Sequence, residues 1–241
     1  MLVLTLCYRI IGFVREMLVA SYLGTSAEAD AYSIAYSVPT VVVEMLALGA
    51  IGSASIAVFP SVLQKDGKQR LNQLYSRVMA AILLALAALL LLCELGAPLL
   101  TKLMAPSFSG EKMALTVSMV RSMLPAILFV GVLGLQKAAL NLMGDFRSEG
   151  ISNVVFNCAM VAGVLFAARQ DRIDILIHSF IAAAFLQWLV QFRSVRRVGL
   201  RPSPDLHLRD EDLHRIFVLL IPIMFSTVVS QISPVAARAV A

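Results

Sequence analysis

The chain has 241 residues, of which 59% are hydrophobic and 15% are charged, and its formal net charge is +5. A soluble domain carries about 25% charged and about 45–50% apolar residues, so this composition excludes an ordinary soluble protein. Apolar runs separated by short polar links predict a helical membrane bundle, because the strands of a membrane barrel would alternate in hydrophobicity over about ten residues.

Seven apolar segments are long enough to cross a bilayer as helices, which takes about 17–25 residues. Together they predict an all-α polytopic membrane protein. The second and fourth segments exceed one crossing, and Pro39 and Pro125 are their expected bend points. The segments are approximately Met1–Leu23, Ala29–Leu63, Tyr75–Leu100, Ala114–Leu142, Ile151–Ala168, Ile173–Phe192 and Leu213–Ala241.

Basic residues concentrate in alternate links between these segments. The links 64–74, 143–150 and 193–212 hold nine Lys or Arg residues, whereas the remaining links hold four. The positive-inside rule therefore predicts a cytoplasmic N-terminus. Because the basic excess follows topology, we expect the lipid bilayer as a partner and no nucleic acid.

The link 193–212 is the longest and the most polar. It contains Pro202 and Pro204, and Asp210 is placed to cap the helix that follows. We expect residues 1–200 to form an N-terminal transmembrane lobe of six helices, residues 201–212 a cytoplasmic crossover, and residues 213–241 the first helix of a second lobe. Because the chain stops within an apolar stretch, we expect it to be cut on its C-terminal side.

Charged residues interrupt the first segment at Arg9, Arg15 and Glu16, with Gly12 between the arginines. A charge in the middle of a membrane helix costs on the order of 2.5–3.5 kcal/mol and usually faces a bundle interior or a wet cavity. A guanidinium pairs bidentately with phosphate oxygens, and Gly12 leaves a notch for a ligand or a neighbouring backbone. The alternative interpretation is structural: ion pairs with nearby carboxylates, or snorkelling to the interface.

The second segment carries Asp30 near its start and Glu44 near its middle. In one continuous helix they would share a face, about 21 Å apart along the axis. An N-cap role is equally consistent with the position of Asp30. Glu44 is interpreted as a counter-ion of Arg9 or Arg15, or as a protonatable group that couples the transport cycle.

Three further charges lie in apolar segments. Arg121 and Lys137 point to roughly opposite faces of the fourth segment, and Lys137 is close enough to its end to snorkel. Arg121, together with Arg238 in the last segment, is a possible cavity residue. A run of small residues around Gly52 predicts close packing between helices.

No catalytic or metal-binding motif is recognisable in the sequence. HExxH, paired CxxC, P-loop and Gly-rich dinucleotide patterns are missing, so we expect no metal, no cofactor and no enzyme. Cys7, Cys93 and Cys158 are isolated from one another and are interpreted as buried free thiols. His207 and His214 are interpreted as solvated.

The opening stretch combines Arg9, the run GFVRE at Gly12–Glu16, the run DAY at Asp30–Tyr32, and Pro39. This combination resembles the MviN/MurJ family, flippases of lipid-linked peptidoglycan precursor within the multidrug/oligosaccharidyl-lipid/polysaccharide exporter superfamily. Looser matches continue along the whole chain, at Gly49–Ala50, Phe59–Pro60, Pro125, Asn141 and Gln231–Ile232.

The resemblance implies the first lobe of a two-lobe transporter in the bacterial inner membrane. It implies a cationic cavity that binds the pyrophosphate of an undecaprenyl-linked saccharide, the peptidoglycan precursor lipid II. By alternating access, the protein would carry this lipid from the cytoplasmic to the outer leaflet. It also implies that Arg9, Arg15 and Asp30 are functional positions, with Glu16 beside Arg15. We expect Arg9, Arg15 and Asp30 to bind substrate, while Glu16 and Glu44 set their field or couple the cycle.

One departure from the family pattern concerns the substrate. Members of the family that handle peptidoglycan precursor usually carry two adjacent arginines shortly after the Pro, whereas this chain has Val43 and Glu44. Two positive charges replaced by one negative charge would weaken a pyrophosphate site. Three alternatives therefore stay open: a flippase for another polyprenyl-linked saccharide such as an exopolysaccharide or O-antigen unit, a small-molecule exporter coupled to a monovalent cation at Glu44, and a non-transporting scaffold.

Overall fold

The computed structural model of the chain describes residues 2–46, 48–203 and 210–220, without the side chains of residue 2 and residues 44–50. The regular structure in these ranges is helical, which confirms the predicted all-α class. The elements are α1 (Leu2–Leu23), α2 (Ala27–Leu46), α3 (Leu48–Met104), α4 (Gly110–Met123), a 3₁₀ turn (Leu124–Ala126), α5 (Ile127–Val130), α6 (Leu133–Leu142), α7 (Arg147–Gln170) and α8 (Ile173–Arg197). A further helix follows at residues 211–220.

Four stretches of the described helices are long and apolar enough to cross a membrane. These are Ile51–Met104, Gly110–Leu142, Arg147–Gln170 and Ile173–Arg197. They fit the predicted polytopic membrane protein. The count of seven spans and the cytoplasmic N-terminus stay predictions.

The long helix α3 folds back on itself at Gly67. Its 57 residues would make a straight helix about 86 Å long, nearly three times the roughly 30 Å hydrocarbon core of a bilayer. Gly67 instead has φ 77° and ψ −178°, a combination that glycine adopts readily. On either side of it, the rings of Phe59 and Tyr75 have centroids 6.4 Å apart, where a straight helix would separate them by about 24 Å. α3 is therefore a helical hairpin.

The hairpin corrects two predicted boundaries. The polar link predicted at residues 64–74 is helical on both sides of Gly67, because its Lys, Gln, Arg and Leu residues are good helix formers and one glycine suffices for the reversal. The span predicted at Ala29–Leu63 is divided between α2 and the first arm of α3.

The fourth predicted segment is not a uniform α-helix. Pro125 lies in the 3₁₀ turn that separates α4 from α5, and its role as a bend point stays a prediction. α2, in contrast, continues through Pro39 as far as Leu46. One turn of this helix is supported by the Thr40 hydroxyl, which donates to the carbonyl of Tyr36 at 3.2 Å.

Two compact units share the chain. Unit 1 comprises Met1–Val41, Leu86–Val130 and Phe146–Gln191; unit 2 comprises Val42–Ala85, Gly131–Asp145 and Phe192–Ala241. In unit 1, α7 and α8 are joined by hydrogen bonds from Gln187 Nε2 to Asn153 Oδ1 (2.8 Å) and from Gln191 Nε2 to Ser152 Oγ (2.9 Å). Such polar contacts between apolar helices compensate for the missing hydrophobic drive within a membrane.

Small residues bring helices together in unit 2. A Cβ added to Gly52 would lie 3.2 Å from the backbone oxygen of Gly134 on α6, a tighter contact than most Cβ atoms make. The sequence predicts close packing at this run, and Gly52 confirms it, because only glycine leaves room for the neighbouring backbone.

The link after α8 is fastened to the second arm of α3. Lys68 Nζ donates to the carbonyl of Val198 at 2.7 Å. The Asn72 side chain accepts from the N–H of Arg201 at 2.6 Å and donates to the carbonyl of the same residue at 3.0 Å. The backbone of the link is thus hydrogen-bonded to α3 along more than one turn.

Asp210 completes this attachment. Its carboxylate accepts two hydrogen bonds from Arg70 at 2.9 Å each and a third from Arg77. Arg70 also pairs with Asp212 at 3.0 Å. Asp210 Oδ1 accepts the backbone N–H of Asp212 at 3.0 Å and of Leu213 at 3.4 Å, so the predicted helix cap is confirmed. We call the contacts of Asp210 with Arg70 and Arg77 the crossover clamp.

Removal of the Asp210 charge should destabilise unit 2. Asp210→Asn keeps a side chain that caps a helix but removes the carboxylate that Arg70 and Arg77 share. Because the Asp210 side chain is only 1% exposed, we expect a loss of about 2–3 kcal/mol, measured by thermal unfolding in detergent. Asp212→Asn, which removes a more exposed carboxylate, should cost less. Equal unfolding temperatures for Asp210→Asn and the parent protein would contradict the clamp.

The crossover clamp should also weaken in acid. Burial raises the pKa of Asp210, but the hydrogen bonds from Arg70 and Arg77 outweigh it and hold the pKa below its usual value. A carboxyl whose pKa is lower in the folded state stabilises the fold fully above its unfolded pKa of about 3.9, and this contribution disappears as the pH falls through the folded value. The difference in unfolding temperature between the parent protein and Asp210→Asn should therefore be constant near neutral pH and shrink below about pH 4.

Candidate functional site

Arg15 is held in a largely buried position on α1. Its side chain is 12% exposed, whereas the neighbouring Glu16 is 72% exposed. The guanidinium donates to the Tyr36 hydroxyl on α2 at 3.2 Å and to Glu16 Oε1 at 3.0 Å. Its central carbon lies 5.5 Å from the centroid of the Tyr36 ring, within the range of a cation–π contact. One cation is therefore fixed between two helices.

This guanidinium lines a cleft between α1 and α2. The cleft has a volume of about 320 Å³, and its polar wall consists of Arg15, Glu16, Ser33, Tyr36 and Ser37. It combines a cation that can pair with phosphate oxygens, an exposed carboxylate, and hydroxyl groups that can donate or accept. Such a set suits a ligand that carries both anionic and hydroxyl groups. We call it the α1–α2 cleft.

Aromatic rings brace the wall of the cleft. Tyr36 packs edge-on against Phe180 of α8, with centroids 5.1 Å apart, and Phe180 packs edge-on against Phe156 of α7 at 6.2 Å. Tyr32, one turn before Tyr36, lies 6.1 Å from it. These contacts join α2, α7 and α8 in a single row behind Arg15.

Comparison with protein families decides the kind of protein. The model of the family described as "Lipid II flippase MurJ" matches residues 19–241. The chain belongs to this family. The resemblance read from the opening stretch is thereby confirmed, and the chain is a multi-pass protein of the inner membrane. The matched range begins after Arg15 and Glu16, so the evidence for a site on α1 is the geometry of the cleft.

Relatives and a solved structure agree with this assignment. The chain is 27% identical to the lipid II flippase MurJ of Burkholderia cenocepacia over 95% of its own length and 46% of the relative. It is 27% identical to the probable lipid II flippase MurJ of Haemophilus influenzae, with 95% and 47% covered. A structure of a lipid II flippase MurJ in an inward closed conformation shares the fold, with a TM-score of 0.78 and 22% identity over 97% of this chain and 48% of that one. The chain spans about half the length of the curated relatives it matches.

The predicted substrate residues Arg9, Arg15 and Asp30 have different surroundings. Arg9 is exposed and is not among the residues that line the α1–α2 cleft. Asp30 is exposed and pairs with Lys112 of α4 at 2.5 Å, so it too lies outside the cleft wall. The alternative that Asp30 caps α2 is wrong. Ser26 caps this helix, since its Oγ accepts the N–H of Ala29 at 3.1 Å.

The notch predicted at Gly12 receives a protein side chain. A Cβ on Gly12 would lie 3.4 Å from Asn157 Oδ1, so α7 occupies the space that the sequence offered to a ligand. Asn157 is itself buried and donates to the carbonyl of Asn153 at 3.0 Å. Gly12 therefore serves the packing of α1 on α7.

Of the remaining predicted residues, Arg121 and Lys137 are both exposed, and neither lines the α1–α2 cleft. The Glu44 side chain and Arg238 lie outside the described residues. The thiols are free, but only Cys93 is buried; Cys7 and Cys158 are exposed, because their helices leave those faces uncovered. Among the described residues, no group of three His, Cys, Asp or Glu residues could hold a metal.

Sequence reasoning missed the side chains of α2 that complete the site. Tyr32, Ser33, Tyr36 and Ser37 all line the α1–α2 cleft. A signal for them exists, since the pair Tyr-Ser repeats after four residues in AYSIAYS, which places both pairs on one helical face. The sequence does not show that this face meets Arg15.

The contact between Gly12 and Asn157 makes the size of residue 12 critical. Gly12→Leu should push α1 away from α7 and lower the stability by about 1–3 kcal/mol. Gly12→Ala is the matched control, because its Cβ at 3.4 Å from Asn157 Oδ1 is close to an ordinary contact. The measurement is thermal unfolding in detergent. Unfolding of Gly12→Leu at the temperature of Gly12→Ala would show that α1 and α7 do not pack here.

Proposed function

We propose that the protein moves lipid II, an undecaprenyl-pyrophosphate-linked saccharide, from the cytoplasmic to the outer leaflet by alternating access. The observation that supports this most is Arg15, a largely buried cation on α1 that lines a polar cleft. The names of the relatives, lipid II flippases, point to the same substrate. The sequence predicts α1 as a membrane span, in which a charge is costly and is kept where a pathway for polar groups needs it.

Arg15 is suited to the pyrophosphate part of the substrate. A guanidinium has five N–H donors, of which Tyr36 and Glu16 engage two, so donors remain for phosphate oxygens. Glu16 adds a negative charge beside the site and should moderate its affinity. Moderate affinity favours a transporter, which must release what it binds.

Hydroxyl groups around Arg15 are suited to the saccharide part. Ser33, Ser37 and Tyr36 offer donors and acceptors on one wall of the α1–α2 cleft, and the Glu16 carboxylate offers acceptors on the other. Sugar hydroxyls can pair with both kinds of group. The cleft therefore provides for the two chemical features that a lipid-linked saccharide presents.

Alternating access requires parts that move against each other. We propose that residues 1–200 form one lobe and that residues 201–212 connect it to a second lobe. The helix beginning near Leu213 is then the first helix of the second lobe. The cytoplasmic N-terminus predicted from the positive-inside rule belongs to the same proposal. With this orientation the substrate enters from the side where basic links concentrate.

A second candidate substrate is another polyprenyl-linked saccharide. Val43 and Glu44 stand where the family resemblance expects two arginines. A site with fewer cations would bind a pyrophosphate less strongly. A substrate that carries one phosphate, or that is held more through its sugars, would need fewer cations than lipid II.

Complementation tests the proposed function. The protein, expressed from its complete reading frame, should restore growth to bacteria depleted of their own lipid II flippase. Arg15→Ala should abolish rescue without loss of membrane insertion, because it removes the cation that faces the cleft. Arg169→Ala, an exposed arginine in the last turn of α7, is the control and should rescue normally.

Each result of this experiment has a definite meaning. Normal rescue by Arg15→Ala would refute the role of Arg15 in substrate binding. Failure of the well-inserted parent protein to rescue would refute lipid II as the substrate and favour another lipid-linked saccharide.

A further inference from the structure

The orientation of Arg15 depends on one contact from another helix. Of its two described hydrogen-bond partners, Glu16 is the next residue on the same helix and is 72% exposed, so solvent competes for it. Tyr36 approaches from α2 and meets the guanidinium both through its hydroxyl, at 3.2 Å, and through its ring, at 5.5 Å. Tyr36 is therefore the partner that can restrict the guanidinium.

Tyr36 is itself restrained from behind. The edge-on contact with Phe180 at 5.1 Å limits rotation of its ring, and Phe180 is only 3% exposed. Phe156 of α7 supports Phe180 in turn. Because its neighbours already restrict the Tyr36 ring, little further conformational entropy is lost when this ring holds Arg15. A residue that supports a ligand-binding group should be packed in this way.

We propose that Tyr36 is a positioning residue for Arg15, which holds the guanidinium at the α1–α2 cleft in a fixed orientation before the anionic group arrives. The proposal rests on the proposed function, in which Arg15 meets the substrate phosphates. Tyr36 takes one N–H of the guanidinium and leaves others for the ligand. A pre-oriented fork binds phosphate more tightly than a freely rotating one, because less freedom is lost on binding.

The chain provides a matched control for this residue. Tyr75 lies on α3 and is not among the residues that line the α1–α2 cleft. Its buried hydroxyl has no hydrogen-bond partner in the described part of the chain, so Tyr75→Phe removes the same atom as Tyr36→Phe and leaves the described contacts of Arg15 in place. A difference between the two variants therefore reports on the contact with the guanidinium.

The first measurement requires no ligand. The protein, expressed from its complete reading frame and placed in nanodiscs, is treated with the arginine reagent phenylglyoxal, and the modification of each arginine is followed by mass spectrometry. Arg15 should react several times faster in Tyr36→Phe than in the parent protein or in Tyr75→Phe. Exposed Arg121 serves as an internal reference and should react equally in all three. An unchanged rate at Arg15 in Tyr36→Phe would overturn the proposal.

The second measurement connects the contact to binding. Undecaprenyl pyrophosphate is titrated into the same nanodiscs, with uncharged undecaprenol as the comparison. Tyr36→Phe should weaken binding of the pyrophosphate about tenfold, the equivalent of one hydrogen bond to a charged group, and leave undecaprenol unaffected. Tyr75→Phe should bind both lipids like the parent protein. An equal loss for the two lipids in Tyr36→Phe would mean a general structural effect and would overturn the positioning role.

Arg15→Ala separates this inference from the proposed function. Weak pyrophosphate binding by Arg15→Ala together with normal binding by Tyr36→Phe would overturn only the role of Tyr36. Normal binding by Arg15→Ala would overturn the substrate role of Arg15, and with it the role of Tyr36.

Discussion

The need to satisfy polar groups inside an apolar bundle governs this structure. A membrane offers neither water to solvate a charge nor a strong hydrophobic drive to hold helices together. Helix contacts here are correspondingly built from polar and small residues: amides and hydroxyls between α7 and α8, Gly12 against Asn157, and Gly52 against the backbone at Gly134. The placement of Arg15 follows from the same requirement, since Tyr36 and Glu16 are the groups that receive its donors.

Two buried charged sites meet this requirement in different ways. In the crossover clamp, the Asp210 carboxylate accepts from two arginines and from two backbone N–H groups, so its capacity to accept hydrogen bonds is largely used. In the α1–α2 cleft, Arg15 retains donors that no described residue engages. A satisfied site stabilises a fold, whereas a partly satisfied one beside an open cleft is prepared for a ligand. This contrast is the physical basis for the assignment of structure to Asp210 and binding to Arg15.

Local features of the chain were predictable because they depend on neighbouring residues. Apolar runs predicted the helices and Asp210 predicted a cap, and the structure confirms both. Pro125 marks the place where α-helix gives way to a 3₁₀ turn. The GFVRE run drew attention to Arg15. Errors arose where the local pattern fitted more than one structure. Ser26 and Asp30 could both cap α2, and Ser26 does so. The polar link around Gly67 could be a loop or a helix, and it is helical on both sides of this glycine.

The sequence by itself determined that the chain is a helical membrane protein with rare charges in its first helices, because composition and periodicity express the cost of exposing polar groups to lipid. Only the tertiary structure decided which charges are held. Arg15 meets Tyr36 across 21 positions of the chain, and Arg70 meets Asp210 across 140. Burial and hydrogen bonding depend on the neighbours that packing supplies. No local pattern encodes that Arg15 is covered while Arg9, six residues before it on α1, stays exposed.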